Sequence, residues 1–223
     1  MDTSAARRNI LARIRAAQGR PAEPETHERE QAADYLARHP AGPRPPMPAD
    51  PAALAGRFAE EAARMSTTVA FVDTLDAVPA EAARYLRAHA LPLQAIVWRT
   101  LDGLDWQAAG LKVAPRKPVD GDLVGITGCF CATAETGSLV LLSGPDTYAS
   151  AALLPETHIV VVPVSRIVAG HEDAFALIRA ERGELPRAVN LVSGPSRTGD
   201  IEQTIILGAH GPYRVHAILV RDA

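Results

Sequence analysis

The stretch HIVVVP (residues 158–163) decides how the rest of the chain is read. Four apolar residues, three of them valine, stand together without a polar interruption. The run is too short for a helix of ordinary length and is rich in β-branched side chains. It therefore reads as a strand buried on both faces, the kind found inside parallel sheets covered by helices. Working outward from it, helical and strand patterns alternate. Towards the C-terminus come a helix over 172–181 closed by Gly183, a strand AVNLVS (188–193), a helix over 200–207, and a final strand RVHAILV (214–220). Towards the N-terminus lie two apolar segments, LVGIT (123–127) and residues 133–143, then strands LKVA (111–114), QAIVWR (94–99) and TVAFVD (68–73). Helices are expected over 79–89, with Asp76 or its turn as cap, and over 54–65. This interleaving implies βαβ units and a mainly parallel sheet covered on both sides. The close pair between 123 and 143 suggests one antiparallel hairpin within that sheet.

The compact domain is expected to run from residue 50 to 223. It opens at DPAAL (50–54), where Asp50 has the pattern of an N-cap followed by Pro at the first helical position. Ahead of it, residues 1–49 read as an amphipathic helix and a Pro-rich extended arm. Five arginines and one aspartate fall in the first twenty residues. Ile10, Leu11 and Ile14 share one helical face, Ser4 is a plausible N-cap, and Gly19 with Pro21 marks the stop. So short a stripe suits docking on the protein itself or a sibling subunit better than a membrane surface. Residues 20–50 are dominated by Pro, Ala and charge, and are expected to run extended over the surface.

With 223 residues, 47% hydrophobic and 22% charged, the composition is that of a soluble globular protein. A net charge of -3 excludes a general nucleic-acid binder, which needs a basic surface. No apolar run approaches the roughly 20 residues that cross a bilayer, and no secretory signal is visible. The expected location is the cytoplasm. Cys129 and Cys131 are the two cysteines. They are too few to ligate an iron–sulfur cluster or a structural zinc alone. No pair of histidines has ligand spacing, so neither a metal nor a cofactor is expected. Phosphate-binding and dinucleotide-binding glycine motifs are absent.

Two features invite a functional reading. The run CFCATAETGSLVLLSGP (129–145) holds a single carboxylate, Glu135, followed by Thr136 and Gly137. Burying an unpaired charge costs several kcal/mol, so Glu135 either contacts a ligand or accepts bonds from nearby amides. The tripeptide Ser-Gly-Pro closes that run and recurs in SGPSRTGDIE (193–202). There Gly194, Ser196, Arg197 and Thr198 precede a predicted helix whose N-terminal amides suit a carboxylate or phosphate. Thr198 as a plain helix cap is the competing reading. His210, flanked by glycine in GAHGP (208–212), is free to reach a ligand or to shuttle a proton, or is a simple loop residue. His216 is expected in the core with a satisfied ring, and His158 fits either role.

Four motifs in order, AETGSLV (134–140), LPETHIVVV (154–162), SGPSRTGDIEQ (193–203) and GAHGP (208–212), make the chain resemble the lactate utilisation protein C family and its LUD domain. The opening RNILARIR (8–15) resembles that family's first helix. The resemblance covers roughly 50–223. It implies a three-layer αβα sandwich with a mainly parallel sheet, related to coenzyme A transferases and to ribose-phosphate and glucosamine-phosphate isomerases. It also implies a role beside iron–sulfur-associated sibling proteins in oxidising L-lactate to pyruvate, with a small organic acid as ligand. In transferases of similar fold a glutamate in a Glu-x-Gly context attacks an acyl thioester. Glu135-Thr136-Gly137 resembles that element, with threonine where the transferases usually carry asparagine. A stand-alone acyl- or coenzyme A-handling enzyme using Glu135, and a non-catalytic scaffold, are the alternative functions.

Overall fold

A computed structural model describes residues 3–21, 23–40, 42–199 and 206–223. The chain divides into two compact units, Met1–Arg44 and Pro45–Ala223. The first holds helices α1 (Ser4–Ala17) and α2 (Thr26–Arg38), neither of which buries a residue. Helix α1 follows the expected pattern, but Thr3 stands at its cap position rather than Ser4. Helix α2 is a correction, because an extended arm was expected there. A segment too polar for a core can still be helical when its local terms suffice. Here Glu25 and Glu28 form a capping box, Asp34 and Arg38 pair across one turn, and alanine fills the centre.

In the second unit the order is α3 (Pro51–Arg64), β1 (Thr68–Val72), α4 (Val78–Ala88), β2 (Gln94–Val97), β3 (Lys112–Ala114), β4 (Val124–Gly128), β5 (Cys131–Thr133) and β6 (Ser138–Leu142). There follow α5 (Ser150–Leu153), β7 (Thr157–Pro163), β8 (Ile167–Val168), α6 (His171–Arg182), β9 (Val189–Val192), β10 (Arg197–Thr198), β11 (Ile206–Leu207) and β12 (Arg214–Val220). The start of α3 is as expected: Asp50 Oδ2 accepts from the Ala53 amide at 2.8 Å and Pro51 occupies the first turn. Asp50→Ala should lower the unfolding free energy by about 1 kcal/mol in a denaturant melt, the usual loss for such a cap. Asp76 makes no cap for α4, which follows directly on a 3-10 turn over Leu75–Ala77.

The main sheet has the order β1-β12-β7-β4-β2-β3, and every pairing in it is parallel. HIVVVP forms most of β7, near the middle. Its side chains alternate between two cores, which is why the run has no polar face. Val160 and Val162 pack with Phe58, Ala62, Ala151 and Leu219 on one side. Ile159 and Val161 pack with Val78, Leu86, Trp106 and Ile218 on the other. Helices α3 and α5 therefore cover one face, and α4 with the segment around Trp106 covers the other. The fold is an α/β sandwich about a mainly parallel sheet.

The expected hairpin lies elsewhere. LVGIT becomes β4 of the parallel sheet, while β5 and β6 pair antiparallel in a second sheet of order β8-β5-β6-β9. AVNLVS joins that sheet as β9, antiparallel to β6, rather than the main one. This second sheet carries its own core of Phe130, Cys131, Val140, Ala174 and Ile178 beneath α6. The helix expected over 200–207 also needs correction: Ile206–Leu207 is a strand, paired antiparallel with Arg197–Thr198. Residues 200–205 lie outside the described residues.

Candidate functional site

Glu135, Thr136 and Gly137 form the turn between β5 and β6. The backbone of the turn is pinned on both sides. The Ala134 and Glu135 amides donate to Val168 and Ala169 carbonyls, each at 2.9 Å, extending the β5–β8 pairing by two residues. Gly137 has φ +62, and a Cβ placed there would fall within 2.7 Å of three backbone atoms of Glu61 and Ala62 in α3. Only glycine fits so close an approach in that conformation. Glu135 itself is half-buried, and among the described residues its carboxylate has no hydrogen-bond or ion-pair partner. The amide-braced alternative for its side chain is thus not what the turn displays.

Thr136 sits at the centre of a chain of polar groups. Its Oγ1 lies 3.0 Å from Thr133 Oγ1, 2.7 Å from Ser138 Oγ and 3.5 Å from His171 Nε2. Ser138 Oγ in turn lies 2.6 Å from Ser193 Oγ. Each hydroxyl can donate one proton and accept another, so the chain can turn either way to suit a bound oxygen. Ser193 opens the second Ser-Gly-Pro bend, which brings the two sequence motifs into direct contact. The first tripeptide is structural: the Ala188 amide donates to Ser143 Oγ at 2.9 Å and ties the end of β6 to the start of β9.

The bend after Ser193 leans on the same helix as the Glu135 turn. Gly194 has φ +77 and presses against the Met65 carbonyl at the end of α3. Arg197 donates from Nη2 to Met65 O at 3.0 Å and to Ser66 Oγ at 2.7 Å. The guanidinium expected to fork an anion is here committed in part to the C-terminal carbonyls of a helix, where a cation is favoured. Arg197→Ala should therefore lower stability by about 1 kcal/mol in urea unfolding even without any ligand, the usual net worth of such a bond. Ser196 is half-buried and bridges two parts of the next loop, its amide donating to Pro212 O and its carbonyl accepting from Gly208, each at 2.9 Å. His210, on that loop, is exposed. Thr198 lies in β10, and the start of the helix it was expected to cap falls on residues 200–205, outside the described residues.

The structure thus joins Thr136, Gly137 and Gly194 around the last turns of α3, and places Ser196 beside the His210 loop. Sequence reasoning missed His171, Thr133, Ser138 and Ser193. The signal for His171 was available: a glycine before it and two acids after it mark the first turn of a helix. What the sequence lacked was any hint that this turn faces Thr136. His158 and His216 are core residues. His158 is fully buried with Nε2 2.7 Å from Thr127 Oγ1, and burial lowers its pKa to about 4. His216 has Nδ1 2.9 Å from Thr68 Oγ1, its ring stacked on Tyr85 at 4.0 Å. Its Nε2 faces Glu81 Oε1 at 3.4 Å, an ion-pair distance without hydrogen-bond geometry, so the ring is only partly satisfied. Among the described residues, no group of three or more His, Cys, Asp or Glu could hold a metal ion.

Comparison with known proteins places this architecture. The model of the LUD domain matches residues 55–220, nearly the whole second unit. The chain belongs to the LUD-domain family. This LUD domain is 41% identical over 102 residues to the lactate utilization protein C of Bacillus subtilis, covering 44% of this chain and 42% of that one. It is 39% identical over 102 residues to the protein of that name from Bacillus licheniformis, with the same coverages. Over a longer stretch of 140 residues it is 35% identical to that of Macrococcus caseolyticus, covering 61% and 55%. The chain therefore spans about half the length of the curated relatives it matches. A solved structure of a DUF162 family protein from Deinococcus radiodurans has a TM-score of 0.57 to this LUD domain chain. It covers 78% of this chain and 99% of that one at 22% identity, a likeness of fold alone.

Proposed function

We propose that the protein is a component of a lactate-utilisation system in the cytoplasm. In that system L-lactate is oxidised to pyruvate, and iron–sulfur partner proteins take the two electrons. This chain supplies a site for the small organic acid and no redox centre of its own. The observation that carries the reading is the sequence likeness to relatives named for lactate utilisation. The two thiols support the division of labour. Burial pushes Cys131 up to about 11 and Cys129 higher still, so neither is a ready thiolate ligand.

Within the site, Glu135 is the residue proposed to touch the reacting acid, with Thr136, Gly137, Gly194, Ser196, Arg197, Thr198 and His210 shaping the surroundings. The hydroxyl chain from Thr133 to Ser193 has four protons and three internal bonds, which leaves one proton to donate to a carboxylate oxygen. No helix among the described residues is long and apolar enough to cross a membrane.

The test is growth on L-lactate as sole carbon source. A strain lacking this gene and any paralogue should fail to grow, and the wild-type gene should restore growth. Glu135→Ala should restore it poorly while the protein remains folded. Undiminished growth of the deletion strain would overturn the proposal. Affinity purification of the tagged protein should bring down iron-containing partners.

A second reading, an acyl- or coenzyme A-handling enzyme, is favoured by the Glu135 carboxylate, which has no partner among the described residues and stands beside a glycine turn. Attack of that carboxylate on an acyl-CoA would expel the thiolate, which returns to the glutamyl carbonyl and releases the free acid. Incubation with an acyl-CoA should then leave a glutamyl thioester, absent in Glu135→Gln. Failure to bind coenzyme A removes this reading.

A further inference from the structure

A hollow of about 280 Å³ opens at the other end of the β5–β6 hairpin, away from Glu135. Its floor is Trp98, one residue past the end of β2, and Gly128 with Cys129, at the end of β4. These two strands are parallel neighbours. Their connections then part. The chain after β2 packs Leu101, Leu104 and Trp106 on the α4 face of the sheet. The chain after β4 packs Ala132 and Ala134 on the α3 face. Neighbouring strands whose connections leave to opposite faces create a crevice at their carboxyl ends, the place where open α/β sheets bind ligands. None of the residues proposed for lactate chemistry lines this hollow.

Its walls combine cations with apolar surface. Arg166 and Arg182 lie over the Phe130 ring, with guanidinium carbons 4.7 and 5.6 Å from its centroid. Arg166 is held in place, donating from Nε to Phe130 O at 2.9 Å and pairing with Glu181. Arg182 is exposed at the end of α6, and among the described residues its guanidinium has no hydrogen-bond or ion-pair partner. Of the two arginines that line the hollow, Arg166 is paired with Glu181 and Arg182 is not, which leaves one positive charge. The C-terminal carbonyls of α6 oppose an anion, and Arg182 is the group that offsets them. Thr147 Oγ1 donates to Leu142 O at 2.9 Å, so its lone pairs remain to accept from a ligand. The Cys129 thiol, held neutral by burial, adds no repulsion. Trp98 and Leu142 supply the apolar remainder.

We propose that this hollow binds a small organic monoanion, its carboxylate on the Arg182 guanidinium and its short carbon body against Trp98 and Leu142. One net positive charge suits a monoanion better than a dianion, and a guanidinium fork matches a carboxylate. The volume holds a molecule of a few carbons and is below the usual range for drug-sized ligands.

The experiment titrates the full chain with pyruvate and, separately, with inorganic phosphate, following tryptophan emission and ligand-observed NMR. Pyruvate should bind saturably. Arg182→Gln should weaken that binding tenfold or more, and Arg182→Lys should recover part of it. Arg179→Gln, exposed on the same helix but outside the hollow, should leave it unchanged. Since Arg182 is exposed, the variants are expected to fold, which circular dichroism checks. Equal pyruvate affinity in Arg182→Gln, or no saturable response, overturns the proposal. Phosphate binding more tightly than pyruvate through Arg182 overturns the carboxylate assignment.

Discussion

Gly194→Ala should unfold much of the protein at temperatures where the wild type is native. At φ +77 an alanine pays the left-handed penalty, roughly 1–2 kcal/mol. Its Cβ would also lie on the Met65 carbonyl oxygen and 3.1 Å from Met65 Cβ. The carbonyl belongs to the last turn of a packed helix and cannot swing aside without moving α3. Overpacking of this kind adds about 1–3 kcal/mol. The sum, about 2–5 kcal/mol, is a large part of the roughly 5–15 kcal/mol that holds a domain together. Gly137→Ala should behave similarly, since its Cβ meets the α3 backbone one turn earlier. Gly103→Ala is the control, with nothing within 4 Å and an ordinary φ. Urea unfolding decides the matter. A Gly194→Ala midpoint equal to that of the control would mean that α3 does not close against this bend.

Acid should destabilise the protein well above the pH at which carboxylates titrate. His158 and His216 are buried, and burial holds both near pKa 4 against 6.5 for an ordinary histidine. Glu81 pulls His216 the other way without overcoming that cost. Because the folded pKa values are depressed, the unfolded chain takes up protons first as pH falls. The stabilisation is fully present above pH 6.5 and is lost between 6.5 and 4. Each ring contributes about 3 kcal/mol to that loss. Lowered pKa at Glu81, caused chiefly by its bond to Arg84, adds a further loss that begins as pH falls through 4.5, the ordinary carboxyl value. Unfolding free energies measured across this window should fall with a slope approaching two protons. His158→Leu should remove one proton from the slope, whatever it does to the absolute stability. An unaltered slope in that variant would show that the ring is not buried neutral.

The parallel sheet was legible because its strands must be apolar on both faces, and IVVV (159–162) has no polar position to suggest otherwise. Periodicity says which faces are buried but not by what. AVNLVS carries an ordinary strand signal, and only tertiary pairing assigns it to β6 rather than to β12. Helix α2 is not legible from core patterning, because it buries no residue and Glu25, Glu28, Asp34 and Arg38 hold it locally. In the candidate site, Glu135 and Gly194 stood out from the sequence by their company. His171 did not, since its partner Thr136 is 35 residues away and no spacing rule links them. Nor could the sequence tell that Arg197 would serve the end of α3.

That service ties the two turns of the site to one support. The Glu135 turn bears on Glu61 and Ala62, and the Arg197 bend bears on Met65 and Ser66. Neither loop can swing out alone like a lid without breaking its seat. A shift of the last turns of α3 would move both together. The end of α3 is thus a common foundation, and disturbing it disturbs both turns at once.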